Sequence, residues 1–92
     1  MELRLLTTFL KVAQLQSFSK AAESLGYSQS AVTVQVQQLE NELGVRLFDR
    51  IGKTVSITHY GQEFIPYARD VVSAAARAVS FTVQERDLTS TL

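Results

Sequence analysis

Gly26 separates two short apolar periods, and that juncture narrows the fold more than any other feature of the chain. Ahead of it Phe18, Ala21, Ala22 and Leu25 fall at i, i+3, i+4 and i+7, a helix of about two turns that Ser17 or Ser19 can cap. Behind it Ser28 offers a cap for a further helix, whose buried stripe is Val32, Val36, Leu39 and Leu43 and whose stop is Gly44. A glycine directly after the last periodic residue leaves a helix through a left-handed conformation, so Gly26-Tyr27 reads as a tight turn. A preceding segment with Leu3, Leu6, Phe9, Leu10 and Ala13 on one face supplies a first helix.

After Gly44 the period changes. Leu47-Phe48 and Val55-Ser56-Ile57, joined through Ile51-Gly52-Lys53, read as a small hairpin, and a β-ribbon beside three helices is a wing. Thr58 then caps a long helix from about His59 to about Arg86, carrying Phe64, Ala68, Val71, Ala75 and Ala78 at alternating spacings of four and three. Ile65, Val72 and Val79 widen this seam. No core in so short a chain covers all eight residues, so the face is expected to pair with a second copy. Pro66 predicts a bend within the helix. The fold class expected is therefore mainly α: a winged helix-turn-helix over 1–58, a dimerisation helix over 59–87 and a frayed tail over 88–92.

Composition removes most other classes. With no Cys and the single His59, thiol chemistry, disulfide scaffolds and multi-ligand Cys/His metal sites are excluded. The sequence holds no Gly-rich phosphate loop and no nucleophile near a base, so an enzyme is not expected, nor is any metal or cofactor. No basic segment precedes an apolar run at the start, and no run approaches the roughly 20 apolar residues of a membrane span, so the chain reads as cytoplasmic. Nine Lys/Arg balance nine Asp/Glu, which argues against a broad electrostatic grip on nucleic acid.

A nucleic-acid reader with this balance works through a few placed cations. Advancing 100° per residue from the buried stripe of the third helix, Ser30, Val34, Gln37 and Asn41 project away from the core, with Thr33 and Gln38 on the flanks. Ser24 to Leu39 carries no charge. Amides of that face suit adenine, hydroxyls adapt to several bases, and an exposed Val suits the thymine methyl. Lys20, Arg50 and Lys53 are the candidate phosphate contacts, although Arg50 is also placed to pair with Glu40 across the helix–hairpin junction.

Arg4, Phe9, Ser17-Phe18-Ser19-Lys20-Ala21-Ala22, Ser28-Gln29-Ser30-Ala31-Val32-Thr33, Leu39-Glu40, Leu43-Gly44, Leu47-Phe48, Arg50, Thr58 and Gly61 together resemble the amino-terminal domain of LysR-type transcriptional regulators. The resemblance implies a bacterial regulator that binds double-stranded DNA as a homodimer. It implies base contact by Gln29, Ser30, Thr33 and Val34, and backbone contact by Arg50 and Lys53 on the wing. Gln37 joins the base-contact set and Ser28 and Lys20 the backbone set from the geometry of the motif. The resemblance further implies an effector-binding domain absent from these 92 residues, so that a small-molecule effector would act only through that missing part. Where relatives often carry Arg or other basic residues, at Val34, Gln37 and Gln38, this chain is uncharged. Two other readings fit the same pattern: a winged-helix regulator of the MarR type, and a helical adaptor that binds protein only.

Overall fold

Serine and glycine punctuation sets the helix boundaries. The computed structural model describes residues 1–52 and 54–90, with side chains through Phe81. In chain order it contains α1 (Leu3–Leu15), α2 (Phe18–Leu25), α3 (Gln29–Leu43), β1 (Phe48–Ile51), β2 (Thr54–Ile57) and α4 (His59–Ser90). Ser17 Oγ accepts the Lys20 amide at 3.1 Å and Ser28 Oγ accepts the Ala31 amide at 3.1 Å, so each serine satisfies an otherwise unpaired N–H at the start of its helix. Gly26 takes φ 76°, and the amide of Tyr27 closes the helix end onto the Ala22 carbonyl at 2.9 Å. The wing is a two-stranded antiparallel ribbon pairing Phe48 with Ile57 and Ile51 with Thr54.

The core is built on phenylalanine rings from four elements. Phe9 of α1 lies 5.5 Å from Phe48 of β1 and 5.4 Å from Phe64 of α4, and Phe48 meets Phe18 of α2 at 5.8 Å. Leu5, Leu6, Val12, Ala21, Val32, Val36, Leu39 and Leu47 fill the space around them. α1 packs against all three other helices, which explains a departure from its expected face. Leu5, Thr8 and Val12 are buried together with Leu6 and Phe9, while Leu3 is exposed and Leu10 and Ala13 are half-buried. A helix with three neighbours buries a broader, rotated arc than a single stripe describes.

α4 is seated by Gly61 and Thr58. A Cβ on Gly61 would collide with the Leu47 carbonyl oxygen and come within 2.6 Å of Ile57 Cγ1, so only glycine lets the helix approach the ribbon this closely. Thr58 Oγ1 donates to the Arg46 carbonyl at 2.6 Å and accepts the Gly61 amide at 3.0 Å, tying the helix start to the segment before β1. The helix continues through Pro66 and on to Ser90, past the expected end near 87. Residues 82–90 contain neither Gly nor Pro to stop it. Of the tail expected to fray, 91 and 92 lie outside the described residues.

The expected eight-residue seam divides in two. Ala68 is fully buried within its own chain, and Phe64, Ile65 and Val72 pack against the same core. These four serve intramolecular packing against α1 and its neighbours, because the globule reaches as far along α4 as Val72. Ala75 is half-buried, whereas Val71, Ala78 and Val79 are exposed. Among the described residues no helix is long and apolar enough to cross a membrane.

Candidate nucleic-acid interface

α3 presents its outward face as the periodicity anticipates. Ser28, Gln29, Ser30, Val34 and Gln37 are exposed, and Thr33 is half-buried at the flank. Val34 keeps 50% of its surface open, unusual for a branched apolar side chain on a polar helix face. Several of these groups are already engaged. Ser28 Oγ caps the helix and lies 3.2 Å from Ser30 Oγ, and Thr33 Oγ1 donates to the Gln29 carbonyl at 3.1 Å.

Arg50 approaches this face from β1. Its Nη2 donates to Thr33 Oγ1 at 3.0 Å, and its guanidinium carbon sits 3.7 Å above the centre of the Phe18 ring. The ring holds the planar cation by its negative face, so three elements converge on one side chain. Arg50 does not pair with Glu40. The Glu40 carboxylate instead accepts the amides of Leu47 at 2.6 Å and Phe48 at 3.3 Å. Those amides lie where the chain enters β1, and a carboxylate there is a better partner for them than for a guanidinium already stacked on a ring.

Between the start of α2 and the ribbon lies an open cleft of about 420 Å³, lined by Ser17, Ser19, Lys20, Gln29 and Arg50 among others. It brings two of the three expected cations beside the first residue of α3. The third, Lys53, lies outside the described residues. Among the described residues no three His, Cys, Asp or Glu gather into a metal-binding group.

Two residues that position this face were missed by periodicity alone. Gln35 is buried at the edge of the α3 stripe, and its Oε1 accepts a hydrogen bond from the buried Thr8 hydroxyl of α1. This polar link fixes the rotation of α3 against α1, since any other rotation leaves two buried polar groups unpaired. A Gln falling about 70° from the centre of an apolar stripe, facing a Thr within another apolar segment, was the available signal.

The family model for bacterial regulatory helix-turn-helix proteins of the lysR family matches residues 3–62. The chain belongs to the LysR family. Its fold is that family's helix-turn-helix DNA-binding domain, with a two-stranded wing and a long helix. An uncharacterized HTH-type transcriptional regulator of Bacillus subtilis (strain 168), YwqM, is 40% identical over 92 residues, all of this chain and 31% of the relative. HdfR, an HTH-type transcriptional regulator of Escherichia coli, is 41% identical over 90 residues, 95% of this chain and 32% of the relative. The chain thus spans about a third of the length of these curated relatives. Among solved structures, a BenM_DBD/catB site 1 DNA complex matches with TM-score 0.86 at 40% identity, covering 94% of this chain and 97% of that one. A CbnR_DBD-DNA complex matches with TM-score 0.82 at 33% identity over the whole of both chains.

Proposed function

We propose that this LysR-family domain binds duplex DNA sequence-specifically as a homodimer, with α3 in the major groove and the wing on the sugar-phosphate backbone. The observation that carries the reading is the juxtaposition of an exposed, uncharged α3 face with Lys20 and Arg50 at its edge. Polar and apolar tips discriminate base edges, while flanking cations fix register on the phosphates. Similar domains solved as BenM_DBD and CbnR_DBD complexes with DNA support the same assignment.

In this reading Gln29, Ser30, Val34 and Gln37 reach bases, and Thr33 stands beside them. Ser28, Lys20, Arg50 and Lys53 hold the backbone. Arg50 suits that role because the Phe18 ring and Thr33 pre-order it while its remaining N–H groups stay available. The dimer forms along the open side of α4, through Val71, Ala78 and Val79 with Ala75 beside them. Phe64, Ile65 and Val72 border that strip, and Ala68 supports it from beneath. Pairing two copies sets two α3 helices at a fixed spacing, which an operator with two related halves matches. Such a regulator acts in the bacterial cytoplasm, and no small-molecule effector is assigned to these 92 residues.

The deciding experiment selects bound duplexes from a random pool with the dimer at low salt. An enriched motif with two related halves is the expected result. A verified dimer that forms no complex with any duplex at micromolar concentration would instead favour the protein-only adaptor.

A further inference from the structure

We propose that Val34 and Thr33 read the C5 methyl groups of thymine, so that α3 recognises part of its site by apolar contact alone. The inference rests on the reading above, in which α3 lies in the major groove. Val34 carries it first. The side chain is half-exposed and does not belong to the core, and β-branching makes it a poorer helix former than Ala at a position where internal packing demands nothing. In the major groove the one apolar group that any base pair offers is the methyl of thymine.

Thr33 adds a second, independent observation. Its hydroxyl has a single proton, and that proton goes to the Gln29 carbonyl at 3.1 Å. One lone pair of the same oxygen accepts Arg50 Nη2 at 3.0 Å. The hydroxyl therefore cannot donate to a base without breaking its bond within the helix, and what Thr33 keeps to offer is one acceptor lone pair and its methyl group. Val34 and the half-buried Thr33 are neighbours within a stretch that carries no charge from Ser24 to Leu39. Gln29 and Gln37 lie on the same outward face, and their amides suit adenine. Together these side chains favour A·T pairs.

The test replaces each thymine of the selected site by deoxyuridine, which removes the C5 methyl and leaves every hydrogen-bonding group in place. Affinity of the wild-type dimer is expected to fall about fourfold for each methyl contacted, the effect of losing one buried carbon group, at one or two adjacent positions of each half-site. V34A deletes the Val methyls and improves helix propensity, so it folds. T33S keeps both hydrogen bonds of the hydroxyl and deletes only the methyl. Each variant is expected to bind the thymine and deoxyuridine duplexes equally at its own position. A selected duplex that tolerates every replacement removes this inference and leaves the DNA-binding reading intact. A penalty that persists in both variants also overturns it. Failure to select any duplex removes both.

Discussion

α3 and α4 are both amphipathic, both bury one face in the same phenylalanine-centred core, and differ in what they show to solvent. The open face of α3 carries hydroxyls, amides and one Val, all well solvated or small when nothing is bound. The open surface of α4 beyond Val72 includes Ala78, Val79 and Phe81, with Val71 just before it, apolar side chains that water disfavours. A hydrogen-bonding face tolerates solvent and can exchange partners, which suits an element that searches DNA. An apolar strip is stable only when covered, which suits a permanent copy of the same chain. The contrast lies in the solvent-facing residues, since the buried stripes are alike.

This contrast presumes that both helices hang on one core, and the largest expected effect tests that presumption. F9A removes the ring that touches both Phe48 and Phe64. Its loss should destabilise the fold by about 3–5 kcal/mol in urea denaturation. A loss below about 1 kcal/mol would show that α1, the wing and α4 are held together elsewhere.

The second prediction separates the two faces. Val71 and Ala78 stand seven residues apart on the exposed strip, so V71D combined with A78D puts two carboxylates into the proposed seam without touching the buried Ala68 or the packed Val72. Sedimentation should then show monomers, and DNA affinity should fall about 100-fold or more because two half-sites are no longer held at once. Thermal melting of the globule should move by only a few degrees. Dimers that survive the double substitution would erase the functional distinction between α3 and α4.

Local signals in this chain were legible and long-range ones were not, and α4 shows why. The caps at Ser17, Ser28 and Thr58 and the stop at Gly26 depend on residues within four positions, so spacing alone placed them. The seven-residue repeat of α4 was equally visible, but a repeat does not say which of its members meet the same chain. Phe64, Ile65, Ala68 and Val72 pack against it, whereas Val71, on the open side of the helix, and Ala78 and Val79, past the globule, are exposed. The same blindness covers the site. Its outward residues followed from helical geometry, whereas the stacking of Arg50 on Phe18 and the use of Glu40 to hold the amides of Leu47 and Phe48 depend on contacts across the fold. An ion pair between Arg50 and Glu40 was plausible by charge and proximity, and each residue found a better-fitting partner.

A gentler substitution probes the junction between the α3 face and the cations that flank it. R50K keeps the charge but loses the planar group that lies over the Phe18 ring and bonds Thr33. DNA affinity should fall about 5–10-fold, with stability changing by less than about 1 kcal/mol, because stacking and the fixed donor geometry are lost while the charge remains. Equal binding by R50K would mean that pre-ordering of Arg50 contributes nothing to the interface.

The smallest effect is a slope. If α3 reads bases without cations, each protomer neutralises phosphates only through Lys20, Arg50 and Lys53, about six contacts for a dimer. The logarithm of the binding constant should then fall against the logarithm of salt concentration with a slope near −5, at about 0.9 per phosphate neutralised. Affinity at moderate salt is correspondingly modest, and a larger share of it comes from base contacts that salt does not screen. Replacing Lys20 by Ala should flatten the slope by about two units in the dimer, one for each protomer, and V34A should leave it unchanged. A slope steeper than about −8 would require further cations such as Arg46 to reach the backbone. The division between an uncharged reading face and a few gripping charges would then be too sharp.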